Sequence, residues 1–276
     1  MDLIKALILG LVQGATEFVP VSSSGHLVLV PWLLNWPAPG LLFDTVVHWG
    51  TLAALLAVFW RDLWRLAKAW LLSLRGRLRK SDVGAEVAAD ARLAWWIIIG
   101  TVPAALIGWL FEDWFEALFA TPPAAAGFLL LTAAILAASE RWGRRNKTTH
   151  QMNLADSLLI GLAQAAAIAP GISRSGATMS MGLARGLRRD DAARYAFLLA
   201  TPIIFGAGLF KLLDLFGASG TRGQLPALVI GFLAAAASGY GCICFLLRYL
   251  QRGRLYPFAI YCTAAGAGAL LLALLR

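Results

Sequence analysis

The chain has 276 residues, of which 59% are hydrophobic and only 14% are charged, and its mean hydropathy is +0.71. A soluble domain of this length needs more charge to cover its surface, so the composition predicts an integral membrane protein. The net charge of +9 could suggest a nucleic-acid partner, but the Lys and Arg residues cluster between apolar runs, as in the cytoplasmic loops of membrane proteins. No binding of nucleic acid is therefore expected.

The predicted elements, in chain order, form two groups of four. Each group opens with an apolar region that Pro, Gly and Ser interrupt: Leu3–Leu34, broken by GATEFVPVSSSGH, and Leu154–Leu183, broken by APGISRSGAT. Three apolar segments long enough to cross ~30 Å of hydrocarbon follow each of them. These predicted spans are Leu41–Trp60, Leu93–Phe111 and Ala124–Ser139, then Ala196–Leu213, Leu225–Leu247 and Phe258–Leu275.

The interrupted regions have halves that are too short to span a bilayer. Such a pattern predicts a re-entrant helical hairpin, whose irregular tip is tolerated at membrane depth where it is buried in protein or lines a cavity. The expected fold is therefore all-α and integral to the membrane, with six transmembrane helices and two re-entrant hairpins.

Loop charge predicts the orientation. The loops Arg61–Arg92, Glu140–Lys147, Arg185–Arg194 and Arg248–Arg254 hold 19 of the 24 Lys and Arg residues, whereas Phe111–Pro122 and Lys211–Gln224 are poor in them. The basic loops should be cytoplasmic. Both termini then lie on the outer side.

An internal repeat appears when the sequence is shifted by 151 residues. Gly10 then meets Gly161, Gln13 meets Gln164, Ser22 meets Ser173 and Gly25 meets Gly176. Because one hairpin and three spans make an odd number of crossings, the second copy should be inverted, with the site near the midplane. We predict a single domain, 1–276, made of two repeats, about 1–150 and 151–276.

Gln13 and Glu17 are four residues apart, so they share one face of the first half-helix. A carboxylate at membrane depth is costly and indicates function, although a neighbouring group could also satisfy it in a purely structural role. Such an oxygen pair suits a hard divalent cation, Mg²⁺ or Ca²⁺, shared with substrate phosphates.

Ser22, Ser23 and Ser24 should open the second half-helix, where one serine can act as the N-cap. A helix N-terminus is also an anion site. His26 follows Ser23 by three residues on the same face and is a candidate general acid or base, with a structural histidine as the alternative.

Arg174 stands in the second copy where Ser23 stands in the first. An arginine at a deep hairpin tip must be paired, and its planar fork of donors matches a phosphate. The alternative partner is Glu17, in an ion pair that locks the hairpins together. Further donors for the same anion are Gly171, Ser173, Ser175, Gly176 and Thr178, while Asp44 and His48 are expected at a rim of the first span.

In these motifs the sequence resembles the bacterial undecaprenyl-diphosphatases, also called bacitracin-resistance proteins. The resemblance is carried by QGATEFVPVSSSGH (13–26), PGISRSGAT (170–178) and LYPFAIY (255–261). It implies removal of the terminal phosphate from undecaprenyl diphosphate with a divalent metal, at the outer face of the cytoplasmic membrane, recycling the lipid carrier for cell-wall synthesis. It also implies that the site is carried by Gln13, Glu17, Ser23, His26 and Arg174.

A transporter or lipid flippase is the alternative function, because inverted repeats with broken helices are also a transporter architecture. A carrier needs an anion site, but it has no need of Glu, Ser and His beside the arginine. The sequence leaves the oligomeric state open.

Overall fold

The computed structural model describes residues 1–75, 84–119, 121–143, 145–215 and 224–276. Within these residues the regular structure is helical, with one isolated bridge between Lys147 and Leu187 and a short 3₁₀ helix, Thr149–Gln151. The eleven described α-helices are α1 (Leu3–Phe18), α2 (Ser23–Leu33), α3 (Leu41–Leu74), α4 (Ala85–Leu110), α5 (Glu112–Phe119), α6 (Pro122–Trp142), α7 (Leu154–Ala166), α8 (Arg174–Ala184), α9 (Arg189–Leu215), α10 (Leu225–Tyr249) and α11 (Tyr256–Leu275).

Six of these helices are long and apolar enough to cross a membrane. They are Leu41–Leu74, Ala85–Leu110, Pro122–Trp142, Arg189–Lys211, Leu225–Tyr249 and Tyr256–Leu275. Each corresponds to one predicted span, so the all-α membrane class and the number of spans are confirmed.

Several predicted span ends are wrong. α3 continues past Trp60 to Leu74, and α4 begins at Ala85 instead of Leu93. Of the charged residues placed in this loop, those from Arg61 to Lys68 lie on α3 and those from Glu86 to Arg92 lie on α4, where both helices extend beyond the apolar core. Arg65 on α3 forms an ion pair of 2.9 Å with Asp90 on α4.

Two further predicted boundaries, the start of α9 and the loop before α6, also differ from the structure. α9 begins at Arg189 instead of Ala196, because Asp190 and Asp191 in its first turn favour a helix N-terminus. The predicted loop Phe111–Pro122 holds a short helix, α5, and the remaining span ends differ from the prediction by up to three residues.

The two interrupted regions each consist of two short helices. α1 and α2 have 16 and 11 residues, and α7 and α8 have 13 and 11. At 1.5 Å per residue these helices measure about 16–24 Å, less than the ~30 Å of a hydrocarbon core. Positive φ angles at Ser22 (71°) and Gly171 (99°) turn the chain at the two breaks.

The two breaks meet each other across the fold. A Cβ atom on Gly25 would lie 3.0 Å from the Cα of Gly171, and a Cβ atom on Gly176 would lie 3.4 Å from the Cβ of Pro20. Only glycine allows the start of α2 to approach the other chain segment this closely. Both interrupted regions therefore contribute to one location.

Aromatic packing fixes the end of α1 at that location. The Phe18 ring packs edge-on against Phe197 of α9 at 5.5 Å, and Phe59 of α3 packs against the same ring at 6.1 Å. All three side chains are buried. Because Phe18 adjoins Glu17, this cluster holds the Glu17 backbone between α3 and α9.

Candidate active site

Glu17 is the centre of the candidate site. Its side chain is only 3% exposed, and both carboxylate oxygens accept hydrogen bonds. Oε2 accepts from Gln13 Nε2 at 2.9 Å and from the hydroxyl of Ser23, and Oε1 accepts from Arg174 Nη2. A buried carboxylate is stable when it is paired and hydrogen-bonded in this way. The structure thus brings together four of the residues singled out in the sequence.

Arg174 reaches Glu17 from the other interrupted region. It is the first residue of α8, and 23% of its side chain is exposed. This is the ion pair between the two interrupted regions that the sequence offered as the alternative to phosphate binding. Glu17 accepts from one nitrogen of the guanidinium, so donors on its other nitrogens remain for an anionic ligand.

Two helices have their N-terminal ends beside the Glu17 side chain. Ser23 is the first residue of α2 and Arg174 is the first residue of α8. Helix N-termini carry partial positive charge, so both stabilise the carboxylate and would equally stabilise a phosphate.

The three consecutive serines have different partners. The Ser22 hydroxyl caps α2 by accepting from Gly25 N at 3.2 Å, and the Ser24 hydroxyl lies 3.2 Å from the Ser22 hydroxyl. Ser23 alone of the three donates to Glu17. The geometry therefore selects Ser23 as the hydroxyl of this triplet that faces the site.

The other predicted donors of the second break bond to the protein itself. Ser173 Oγ accepts from Gly176 N at 3.0 Å, Ser175 donates to the Val19 carbonyl at 3.3 Å, and Thr178 donates to the Arg174 carbonyl at 2.7 Å. These bonds fix the first turn of α8, and with it the position of Arg174.

His26 lies near the site, but its ring nitrogens bond elsewhere. Nδ1 is 2.7 Å from the Ser22 carbonyl oxygen, and Nε2 is 2.7 Å from the Tyr261 hydroxyl on α11. The two rings stack with centroids 5.6 Å apart. The role of His26 as general acid or base stays a prediction.

The chemistry of Gln13 and Glu17 suits a cation. Gln13 Oε1 is a fully buried amide oxygen with no hydrogen-bond partner among the described residues. Buried acceptors are normally satisfied, so an unpartnered oxygen one helical turn from a carboxylate fits a hard cation. No group of three or more His, Cys, Asp and Glu side chains with metal-binding geometry occurs in the described parts of the chain. A cation would need further oxygens from its substrate.

Comparison with known proteins places the chain in a family. A family model described as bacitracin resistance protein BacA matches residues 6–268. The chain belongs to that family. Among its relatives are proteins named undecaprenyl-diphosphatase from Nocardioides sp. (strain ATCC BAA-499 / JS614), 42% identical over 99% of this chain and 97% of the relative, and from Geobacter metallireducens, 43% identical over 98% of each. A third, from Moorella thermoacetica, is 42% identical over 95% of this chain and 94% of the relative.

Three residues near the site were missed or misplaced from the sequence. His48 was expected at a rim, but α3 packs so that its Nε2 lies 3.8 Å from Glu17 Oε2. Thr132 of α6 accepts from Ser173 N at 3.0 Å and donates to the Gly171 carbonyl at 2.9 Å, which holds the second break. Tyr261, which contacts His26, lies in the LYPFAIY segment. The resemblance of that segment to the family was the signal in the sequence that could have pointed to Tyr261.

Proposed function

We propose that this protein is a membrane-embedded undecaprenyl-diphosphatase, which releases phosphate from undecaprenyl diphosphate and returns the monophosphate carrier to cell-wall synthesis. The observation that carries the proposal is that Ser23 from the first interrupted region and Arg174 from the second both bind the Glu17 carboxylate. A carboxylate, a hydroxyl and a guanidinium beside two helix N-termini can supply the positioning and the charge stabilisation on which phosphoryl transfer depends.

In the reaction, an oxygen nucleophile forms a bond to the terminal phosphorus while the bridging P–O bond breaks. The electron pair of that bond leaves with the polyprenyl monophosphate. Arg174 is placed to exchange part of its contact with Glu17 for the phosphoryl oxygens and to neutralise their growing charge. Ser23 either attacks phosphorus itself, in which case water then breaks the Ser23–phosphate bond and releases inorganic phosphate, or it orients a water that attacks directly. In either route the attacking oxygen gives its proton to a base, the role predicted for His26.

Glu17 and Gln13 Oε1 would hold a divalent cation, Mg²⁺ or Ca²⁺. When bound, the cation would reduce the negative charge of the diphosphate. The same carboxylate keeps Ser23 and Arg174 in place before substrate arrives.

The architecture that we propose is an inverted-topology repeat with two re-entrant hairpins. Symmetric contacts support it: a Cβ atom on Gly10 of α1 would lie 3.0 Å from the Cα of Gly231 on α10, and a Cβ atom on Gly161 of α7 would lie 3.1 Å from the Cα of Gly100 on α4. Each hairpin thus packs against a span of the other repeat, as a pseudo-twofold axis requires. The excess of basic residues in alternate loops supports a site that opens to the outer side of the cytoplasmic membrane.

The polyprenyl tail of the substrate would occupy an apolar groove between α3, α4 and α9. Phe205 at one end of this groove packs against Trp49, the neighbour of His48, at 5.6 Å between ring centroids. The groove therefore begins beside the site and runs along α3. Its lining is apolar except for Thr201 and the Trp70 N–H, and consists of Leu52, Leu56, Leu63, Leu66, Ala67, Trp70, Ala94, Ile97, Ile98, Leu198, Thr201, Pro202 and Phe205.

Filling the groove tests the placement of the tail. Ala67→Phe should raise KM for undecaprenyl diphosphate at least roughly threefold, because it displaces apolar contact from the tail. It should leave KM for a short-chain diphosphate unchanged. Ala237→Phe on the exposed surface of α10 is the matched control. An equal effect of both substitutions on the long substrate would refute this placement.

Phosphate release in detergent separates the proposed enzyme from a transporter. Purified protein with no membrane to cross should release phosphate from undecaprenyl diphosphate. Binding of the lipid without release would favour a carrier.

A further inference from the structure

His48 carries a ring nitrogen that faces the site and that the reaction as described above does not use. Its Nε2 lies 3.8 Å from Glu17 Oε2, the oxygen that also accepts the Ser23 hydroxyl. The His48 side chain is 33% exposed, so a ligand can reach it. It extends from α3, whereas Glu17 and Ser23 belong to the first interrupted region.

The hydrogen bond at the other nitrogen sets the tautomer of His48. Nδ1 is 2.7 Å from the backbone carbonyl oxygen of Asp44, one turn earlier on α3. A carbonyl oxygen can only accept, so Nδ1 carries the hydrogen. In the neutral ring Nε2 is then a hydrogen-bond acceptor, and it lies 3.8 Å from Glu17 Oε2.

His26 differs from His48 in this respect. Its Nδ1 is likewise committed to a backbone carbonyl, that of Ser22, but its Nε2 is taken by the Tyr261 hydroxyl. Of these two histidines, His48 is the one whose Nε2 lies beside the Glu17 carboxylate that also binds Ser23. The sequence motif points to His26, whereas the geometry points to His48.

An attacking hydroxyl at this site needs an acceptor for its hydrogen. Glu17 Oε2 already accepts from Gln13 and Ser23, which uses the two lone pairs of a carboxylate oxygen. A second acceptor 3.8 Å away can share or take over one of those donors when substrate rearranges the contacts of Glu17.

We propose that His48 is a further catalytic residue, whose Nε2 accepts a hydrogen bond from the attacking oxygen, that of Ser23 or of water, and orients it towards the terminal phosphorus. This inference rests on the proposed phosphatase function. It adds a residue from α3 to a site that the motifs assign to the two interrupted regions alone.

Two amide substitutions separate this role from a structural one. His48→Asn keeps a donor for the Asp44 carbonyl but lacks an atom at the position of Nε2. His48→Gln places an amide oxygen near that position. We expect His48→Gln to keep kcat within roughly threefold, and His48→Asn and His48→Leu to lose at least roughly tenfold in kcat with little change in KM, as loss of one orienting hydrogen bond predicts.

The assay is phosphate release from undecaprenyl diphosphate by detergent-purified variants, with thermal unfolding measured first. Thr45→Val is the matched control, because Thr45 is buried on the same helix and bonds only to the Leu41 carbonyl among the described residues. Equal kcat for the Asn and Gln variants would overturn the role of Nε2, whether both are high or both are low. An unmodified protein that releases no phosphate would overturn the proposed function and this inference together.

Discussion

The three serines at the start of α2 offer the sharpest test of the site, because their environments differ while their chemistry is the same. Ser23 donates to the buried Glu17 carboxylate, Ser22 caps the helix at Gly25 N, and Ser24 contacts the Ser22 hydroxyl. A hydrogen bond to a charged group is worth about 1.5–3 kcal/mol. If Ser23 makes such a bond to the reacting groups in the transition state, Ser23→Ala should lower turnover roughly ten- to hundredfold. If Ser23 is the nucleophile, the loss should exceed roughly 10⁴-fold.

The other two substitutions should act on stability. Ser22→Ala removes an N-cap worth about 1 kcal/mol, so it should lower the midpoint of thermal unfolding more than it lowers turnover. Ser24→Ala is the matched control and should change turnover by less than roughly threefold.

Turnover would be measured as phosphate released by each purified variant at saturating substrate, after its unfolding transition has been recorded. A folded Ser23→Ala protein with turnover within about threefold of the unmodified protein would refute the reasoning.

Three further predictions concern the same site and its orientation. Arg174→Lys keeps the charge but loses the planar fork, so turnover should fall at least roughly tenfold, about 1.4 kcal/mol of transition-state stabilisation. The double variant with Ser23→Ala should lose less than the sum of the two single losses. Additive losses would contradict the action of both residues on one phosphoryl group. Chelation should abolish phosphate release, Mg²⁺ or Ca²⁺ should restore it, and Glu17→Gln should raise the metal concentration required; full activity in excess EDTA would reject the metal. Single cysteines in Arg75–Lys80 should react only with reagents on the cytoplasmic side, and those in Gly217–Gly223 only from outside, although residues 76–80 and 217–223 lie outside the described parts of the chain. Labelling of both loops from one side would contradict the inverted repeat.

The site could be located from the sequence because its residues interrupt apolar helices. Glu17 and Arg174 stand out at membrane depth, where a charge needs a partner, and the 151-residue register places Arg174 opposite Ser23. The structure then joins Glu17 to both. Local rules sufficed for Pro20 and Gly171, because proline ends a helix and glycine accepts the positive φ of 99° found at Gly171. The positive φ of 71° at Ser22 is not one that a serine adopts by local preference.

The contributions from other helices could not be predicted in this way. The short distance between His48 and Glu17 depends on how α3 packs against α1. No sequence pattern within α3 predicts which of its residues lies opposite Glu17. The bond between His26 and Tyr261 joins residues 235 positions apart. The extension of α3 to Leu74 was not predicted, because charged residues mark the end of the apolar segment and not the end of the helix. Arg65 lies on this helical extension and forms an ion pair with Asp90 of α4.

The most direct test of the central claim is a product analysis of the purified protein and its Glu17→Gln variant in detergent, with undecaprenyl diphosphate as the substrate. The unmodified protein should yield equal amounts of inorganic phosphate and undecaprenyl phosphate. The variant, folded by the same thermal criterion, should yield at least roughly a hundredfold less of both, because Glu17 accepts hydrogen bonds from Gln13, Ser23 and Arg174 and so keeps these three side chains together. Equal product from the two proteins would contradict the assignment of the site, and no product from the unmodified protein would contradict the function.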